Sequence, residues 1–599
     1  MSRIRLFLHG LSAIAVSLLI GGCVTLGLSS QPASPQAQAQ YDQAQALYRA
    51  GHYQQAAERF IAVANAEPAL YDAATLAAAA SYRSLGNLDQ TATLLDQVHR
   101  RRLSPADAAR YDVLSAEVAL HHGDAAGALK LIAGLQPPLP PDVQQHALDV
   151  QARARQAGGD LLGAARARVQ RDALLGGPAR TANRQQILDL LAGLGQDKLL
   201  PLFSSLADTD PLKPFVGQTL KQLGVATPQV LPQLQQPVGT VTGAGATPQG
   251  YRMPARVALL LPGTGPVAVA AAAVRDGFFT AYFDTPQTQE LRPALRAYDS
   301  KDTPEGALAA YRQAVADGAQ LVVGPLGRAA VGALFSQPAL PVPVLALNHP
   351  QGDVLPPGDS AEFALLPETE GAQLAAHMQQ RGISSAIVFR GDDETASRTD
   401  SAFKTQFESL GGRVASDIVL PRGGVDFAGQ VKSALAGADA QTGIVVLLRP
   451  GQARLLLPQL RLAGSKLPVF ATSLVYTGDE DAVADADLDG VEFCDEPWLF
   501  DAQPGLPDHA ALAAQIATAH GPAARLFAFG MDAYALMPYL GWLRTHPGSY
   551  LPGATGALTL DAQGHVQRVP IWVQFQNGVA RPVAAGLEAQ PAAAASSGS

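Results

Sequence analysis

Cysteine is nearly absent. The 599 residues contain two, Cys23 and Cys494. That excludes a disulfide framework, and if Cys23 is consumed by lipidation no intramolecular bridge can form at all. Charge is sparse as well. Only 16% of residues are charged and the net charge is −9. No dense lysine or arginine stripe is present to neutralise phosphates, which excludes a nucleic-acid binder. Proteins, small ligands and neutral polymers are left as partners. No run is long enough to cross a membrane comfortably. The best candidate, Leu6 to Ile20, is broken by His9, Gly10, Ser12 and Ser17. A Walker loop, a zinc ligand set and a His-Glu-x-x-His helix are also missing. No catalytic residues, metal or cofactor are therefore expected.

What is present begins with an address. Arg3 and Arg5 precede the apolar run, which ends in Leu19-Ile20-Gly21-Gly22-Cys23. A basic start, a short apolar stretch and small residues before a cysteine are the layout of a secretory signal cut at a lipobox. Small residues let the backbone enter the peptidase, and the Cys23 thiol carries the diacylglycerol. Cys23 is the expected lipid attachment site, and several acyl chains anchor stably because each buried methylene contributes about 0.8 kcal/mol. Val24 follows where aspartate usually retains lipoproteins of Gram-negative bacteria in the inner membrane. The resemblance to such lipoproteins thus implies the outer membrane, with the body facing the periplasm.

From Tyr41 the pattern becomes amphipathic helices separated by glycine turns at Gly51, Gly86, Gly123 and Gly159, spaced 35, 37 and 36 residues apart. Helix–turn–helix units with a period near 34 resemble a tetratricopeptide array. The first unit fits best. Leu47, Tyr48 and Gly51 are followed by the small Ala56, the space-filling Phe60 and the helix-stopping Pro68. Later units keep Ala128 and Ala164 at the small position, whereas Thr91 replaces it in the second. Such arrays present a binding surface and no catalytic group. His121-His122 invites a metal, but adjacent helical positions point about 100° apart, so the pair is expected not to share an ion.

From Arg256 the grammar changes to apolar runs alternating with helices. Strands are predicted at Val257–Leu261, Leu295–Asp299, Leu321–Val323, Pro343–Leu347, Ser385–Phe389, Arg413–Val419, Ile444–Leu448 and Leu467–Ala471. Continuous apolar runs mean strands buried on both faces, hence largely parallel sheets. A region of this size needs two lobes. The order of its motifs is specific. Val274-Arg275-Asp276-Gly277-Phe278, Tyr298-Asp299, Val322-Val323-Gly324-Pro325-Leu326, Leu345-Ala346-Leu347-Asn348, Leu366-Pro367-Glu368, Pro497-Trp498, Gly530-Met531-Asp532 and Gly553-Ala554-Thr555-Gly556 occur in that sequence. Together they resemble the type I periplasmic binding-protein fold and, more closely, the C-terminal domain of the penicillin-binding protein activators of the LpoA family. With the lipobox and helical repeats upstream, the resemblance covers nearly the whole chain. It implies an outer-membrane lipoprotein that binds a class A penicillin-binding protein and stimulates peptide cross-linking of peptidoglycan, and that is not itself an enzyme.

The alternative is a lipoprotein that binds or senses a small solute between the lobes. Ligands in open α/β sheets sit at strand C-termini. The candidate cleft residues are therefore Thr264, Gly265, Gly324, Leu326 and Asn348. Amino-acid binders of the fold it resembles place Ser or Thr in these loops. One hydroxyl, Thr264, lies in the first loop, and Gly-Pro-Leu-Gly forms the second, which weakens that alternative.

Three further motifs have plainer readings. Asp485 to Gly490 with Glu496 satisfies an EF-hand formula, but Glu492 stands where such loops carry an aliphatic residue, and Pro497 blocks an exit helix. Ser401-x-x-Lys404 lacks the partner motifs of serine penicillin-interacting enzymes and reads as a helix start. Gly391-Asp392-Asp393-Glu394 reads as a polar turn capping a helix. Cys494 follows apolar Val491 with no histidine near it in sequence, and reads as a buried strand residue.

The expected organisation is a signal peptide over 1–22, a flexible tether over 23–40 and tetratricopeptide-like helices over 41–225. A linker over 226–254, a bilobed α/β domain over 255–585 and a disordered tail over 586–599 complete it.

Overall fold

The computed structural model describes residues 33–239, 248–285, 292–337, 340–351 and 354–583. The signal peptide, Cys23 and the expected tail lie outside the described residues. The chain forms two compact units, residues 1–143 and 144–599.

In the first unit the helices Pro35–Arg49, Tyr53–Ala66, Tyr71–Ser84, Leu88–Leu95, Pro105–His121 and Ala125–Ala133 follow one another, each packed on the next. The first begins inside the stretch expected as a tether. Ser34 caps it by accepting from the Ala37 amide, and Pro35 stands at its start. That is a helix-start signal hidden in a linker-like composition. The glycine turns are as predicted. Gly51, Gly86 and Gly123 have φ of 81°, 79° and 86°. A Cβ on any of them would meet nothing within 4 Å, so the left-handed backbone and not lack of space selects glycine there. Asn87 and Asp124 then cap the next helices through the Gln90 and Gly127 amides.

Five residues after each turn stand Ala56, Thr91 and Ala128, all 0% exposed. The odd one, Thr91, is accommodated because its hydroxyl donates to the Ala79 and Asn87 carbonyls at 3.2 and 2.9 Å. Phe60 fills the gap beside Ala56, with its ring 5.2 Å from that of Tyr41.

The second unit opens on the same grammar. Gly159 turns at φ 81° and Asp160 caps Leu161–Asp172 through the Gly163 amide. The helices Gly177–Ala192, Gln196–Ser205 and Lys213–Gln222 follow, with Ile187, Leu191, Phe203 and Phe215 in one core. These helices belong to the same compact unit as the α/β part, although the sequence placed them with the earlier repeats. Arg184 provides one reason. Its side chain is buried, pairs with Asp172 at 3.0 Å, and donates to the carbonyls of Ala562 and Gln563 in the α/β region. Arg180 reaches Asp359 at 2.5 Å.

The α/β region has two sheets. The chain enters the first with β1 (Gln236–Pro237), β2 (Arg256–Leu261), β3 (Ala294–Asp299), β4 (Leu321–Val323), β5 (Val344–Ala346) and β6 (Ala361–Phe363). It crosses to the second for β7 (Ser385–Arg390), β8 (Arg413–Val419), β9 (Thr442–Leu447), β10 (Val469–Ala471) and β11 (Glu492–Asp495). It returns to the first for β12 (Ser549–Pro552), β13 (Ala557–Leu560) and β14 (His565–Val569). It crosses again for β15 (Ile571–Gln576) and β16 (Val579–Pro582). The first sheet runs β1-β12-β13-β14-β6-β5-β4-β2-β3 and the second β16-β15-β11-β10-β9-β7-β8.

The parallel cores, β6-β5-β4-β2-β3 and β11-β10-β9-β7-β8, are the two lobes expected from the continuous apolar runs. Each has its own apolar cores. The antiparallel additions from Ser549 onward were not anticipated. In β14 and β15, buried and part-exposed residues alternate, the signature of a half-covered strand.

Two helices, Ala268–Asp284 and Ala524–Leu536, pack closely. They meet at Gly277 and Gly530, where a Cβ would stand 1.8 Å from the Phe527 carbonyl oxygen and 2.0 Å from that of Val274.

Candidate functional site

The loops at the C-terminal ends of the parallel strands were the sequence's candidates. In the first lobe, Thr264 and Gly265 are exposed after β2. Asp299, at the end of β3, holds their loop by accepting from the Gly263 and Lys301 amides, both at 2.9 Å. Those two donors keep its carboxyl below the usual range. Gly324 follows β4 at φ 101°, and a Cβ there would lie 2.0 Å from the Leu260 carbonyl oxygen. No other residue fits. Leu326 is buried, and Asn348 Nδ2 donates to its carbonyl at 2.9 Å, tying the loop after β4 to the loop after β5. Leu326 and Asn348 are thus brought together, with Gly324 two residues away, while Thr264 and Gly265 are exposed, Gly265 lying against Asp302, which also faces Gly327 in the second loop.

The densest polar constellation escaped sequence reasoning. The chain passes between lobes after β6, after β11 and between β14 and β15. Charged side chains from all three passages meet inside the protein. Glu370, just past the first, accepts from the Ser473 amide and hydroxyl at 3.1 and 2.7 Å. Its other oxygen takes Arg568 Nη2 at 2.8 Å, and Arg568 stands just before the third passage. Arg568 Nη1 lies 3.4 Å from Glu496, at the second. Beside it, Asp495 is 0% exposed and receives Arg525 in two contacts of 2.9 and 2.5 Å. Burial pushes the Glu496 carboxyl well above its ordinary range, against the pull of Arg568. Three carboxyl groups, Glu370, Asp495 and Glu496, thus face two guanidinium groups, Arg525 and Arg568. Charges this deep persist only when paired.

Asp532 adjoins the cluster. It accepts from the Ala554 and Thr555 amides at 2.6 and 2.7 Å and from the Thr555 hydroxyl at 2.6 Å. Burial outweighs these donors and raises its carboxyl to about 6. The Gly530-Met531-Asp532 and Gly553-Ala554-Thr555 motifs are therefore one contact. Their distance apart in sequence concealed it.

The remaining motifs have structural employment. Asp485, Glu492 and Glu496, three positions of the EF-hand formula, are buried and turn to different partners. Asp485 pairs with Arg454 at 2.8 Å, Glu492 with His377 at 2.6 Å, and Glu496 with Arg568. Lys404 binds Asp400 and Asp417, both at 2.6 Å, and Ser401 is exposed. Asp393 caps its helix through the Ala396 amide. Cys494 is buried in β11, and burial drives its thiol far up, away from the reactive thiolate.

A second polar group lies between β6 and β14. Glu362 accepts from His349 Nδ1 at 2.7 Å and stands 3.8 Å from His565, which pairs with Asp561 at 2.9 Å. Burial disfavours the imidazolium, but Asp561 and Glu362 prevail and lift His565 to about 9. Folding therefore stabilises the proton on His565. That contribution is complete below about 6.5, the unfolded value, and disappears as pH rises through 9. Thermal unfolding between pH 6 and 9.5 should show the melting temperature falling toward the alkaline end. The His565→Gln variant should show a flatter profile, and an unchanged slope would remove His565 as the cause.

A family model described as "LppC putative lipoprotein" matches residues 52–240 and 249–578. The chain belongs to the LppC lipoprotein family. The LppC match takes in the helical repeats and both α/β lobes. Among curated relatives, the penicillin-binding protein activator LpoA of Yersinia pseudotuberculosis is 26% identical over 413 residues, covering 55% of this chain and 61% of that one. The protein of the same name from Photobacterium profundum is 29% identical over 356 residues, covering 55% and 57%. The chain thus spans about three fifths of the length of the relatives it matches. The crystal structure of full-length LpoA from Haemophilus influenzae aligns over 88% of this chain and 98% of its own, at 20% identity and a TM-score of 0.48.

Proposed function

We propose that this LppC-family protein is a lipid-anchored regulator that binds a class A penicillin-binding protein and stimulates its peptide cross-linking of peptidoglycan. The observation that carries the reading is family membership across both parts of the chain, together with relatives named as penicillin-binding protein activators. Cys23 is the attachment site for the lipid, the outer membrane the place of anchoring, and the periplasm the space into which the body reaches. The protein acts by binding and has no reaction of its own.

One candidate cleft residue is already engaged within the protein, which favours this reading over solute capture. Ser473, the hydroxyl at the end of β10, is already engaged by Glu370, and the Thr555 hydroxyl is engaged by Asp532. The Asn348 amide is spent on Leu326. These polar groups are bonded within the protein, whereas Thr264, the hydroxyl of the first candidate cleft loop, is exposed.

Binding is tested by passing detergent-solubilised class A synthase from the same cell over the immobilised chain. Saturable retention is expected, and it should survive dialysis that removes small molecules. Absence of retention for every class A synthase of that cell would overturn the reading.

A further inference from the structure

The helix Pro105–His121 ends in a way the sequence argument did not foresee. His121 is its last residue, and His122 is already its cap, with φ −81° and ψ 8°. Gly123 then reverses the chain at φ 86°. His122 still donates to the Val118 carbonyl at 3.1 Å, so the two side chains leave the helix end about 100° apart, and it is the length of the imidazoles that lets them converge. The two rings lie 5.5 Å apart, tilted by 45°. Both Nε2 atoms turn to the same oxygen, Oδ1 of Asp89, at 3.5 and 3.7 Å. Asp89 comes from the first turn of Leu88–Leu95, one repeat earlier. The ligand atoms of all three residues lie within 4.8 Å of one another.

Those distances suit a metal ion better than an ion pair. A tetrahedral zinc with bonds of about 2.0–2.2 Å separates its ligand atoms by about 3.3–3.6 Å. The Asp89 contacts need contract by only a few tenths of an ångström to reach that spacing. As salt bridges the same contacts are long. The side chains are 45%, 56% and 82% exposed, where an ion pair contributes little. Two imidazoles held against one carboxylate oxygen repel each other if both are charged, and a cation at their centre removes that conflict. Among the described residues, this is the one group of three or more histidine, cysteine, aspartate or glutamate side chains whose ligand atoms converge in this way.

We propose that Asp89, His121 and His122 form a site for a divalent transition metal of the zinc class. Two imidazole nitrogens and one carboxylate match the preferences of Zn2+, with Cu2+ and Ni2+ the chemical competitors. Three protein ligands leave one position open to solvent. The ion joins the turn that begins the second repeat to the turn that ends the next long helix. It would thus fix two successive repeats at the edge where their glycine turns lie. The inference is independent of the activator reading, since it concerns the first unit alone.

The test is isothermal titration of the chelator-stripped full chain with ZnCl2. The parent protein is compared with a His121→Ala/His122→Ala variant and with Asp89→Asn. One molar equivalent that binds the parent should be lost in the double variant. It should weaken by about tenfold or more in Asp89→Asn, at least what loss of an outer-sphere partner costs. Circular dichroism should be unchanged, because all three side chains are exposed. Substitution with Co2+ gives a second readout, a visible absorption band present in the parent, missing from the double variant and needing a higher Co2+ concentration in Asp89→Asn. Equal stoichiometry and affinity in all three proteins, or no zinc bound by the parent, would overturn the proposal. Asp89→Asn keeps the question open to decision if the double variant is poorly folded.

Discussion

Replacing Arg568 with alanine should lower the stability of the α/β unit by about 3–5 kcal/mol. The guanidinium is 3% exposed and touches groups from two other passages between the lobes, Glu370 at 2.8 Å and Glu496 at 3.4 Å. Its removal leaves the Glu370 carboxylate with the Ser473 donors alone and takes away the cation that moderates Glu496. The cost is that of an uncompensated buried charge, which is larger than the net worth of the pair. Chemical denaturation followed by tryptophan fluorescence measures it, since Trp498 and Trp572 both lie in this unit. Adding Glu370→Gln to Arg568→Ala should recover part of the loss, because the orphaned charge is then gone. If Arg568→Ala unfolds within about 0.5 kcal/mol of the parent, as an ordinary surface substitution would, the cluster is not what fastens the passages together.

Gly530→Ala should be among the most damaging single methyls in the described residues. The new Cβ would stand 2.0 Å from the Val274 carbonyl oxygen, and its neighbour across the crossing, Gly277, faces the Phe527 carbonyl oxygen at 1.8 Å. Both obstacles are backbone, so no side chain can rotate away and the helices must separate. Overpacking of this kind costs about 1–3 kcal/mol, occasionally more. Asp532 lies two residues on, and its three contacts with Ala554 and Thr555 move with the helix. Hydrogen exchange should therefore rise at the Ala554 and Thr555 amides as well as along both helices. Unchanged exchange at Ala554 and Thr555 would show that the crossing and the Asp532 contact are independent.

These two sites also mark how far the sequence could be read. The strands Arg256–Leu261 and Arg413–Val419 and the glycine turns at Gly51, Gly86, Gly123 and Gly159 were legible because each rests on a local rule. An apolar run without alternation makes a buried strand, as in Arg256–Leu261, a period-two pattern makes an exposed edge strand, as in Arg413–Val419, and a left-handed turn demands glycine. The helix from Pro35 was missed because composition was weighed above its Ser-Pro start. The Asp89, His121 and His122 group was missed because its third member comes from the preceding repeat, and the reach of two long imidazoles toward it outweighs their angular separation on the helix.

The charge cluster was illegible for a deeper reason. Glu370, Asp495, Glu496, Arg525 and Arg568 are spread over 199 positions of sequence, and nothing local distinguishes them from surface charges. Only the three passages between lobes bring them together. The recognised motifs gave position without purpose. Gly277 and Gly530 proved to be a helix crossing, Tyr298-Asp299 a loop clasp, and Asp532 with Thr555 a buried hydrogen-bonded contact. Each is structural support for a two-lobed body.

The central claim, that this chain activates a peptidoglycan synthase, is tested most directly by lipid II cross-linking. A class A synthase from the same cell is assayed with and without the protein lacking residues 1–23. The account predicts a dose-dependent, saturable rise in cross-linked peptides. The Gly530→Ala variant should give a smaller rise, and the protein alone should form no product. No change in cross-linking for any class A synthase of that cell, with the added protein folded and in excess, would contradict it.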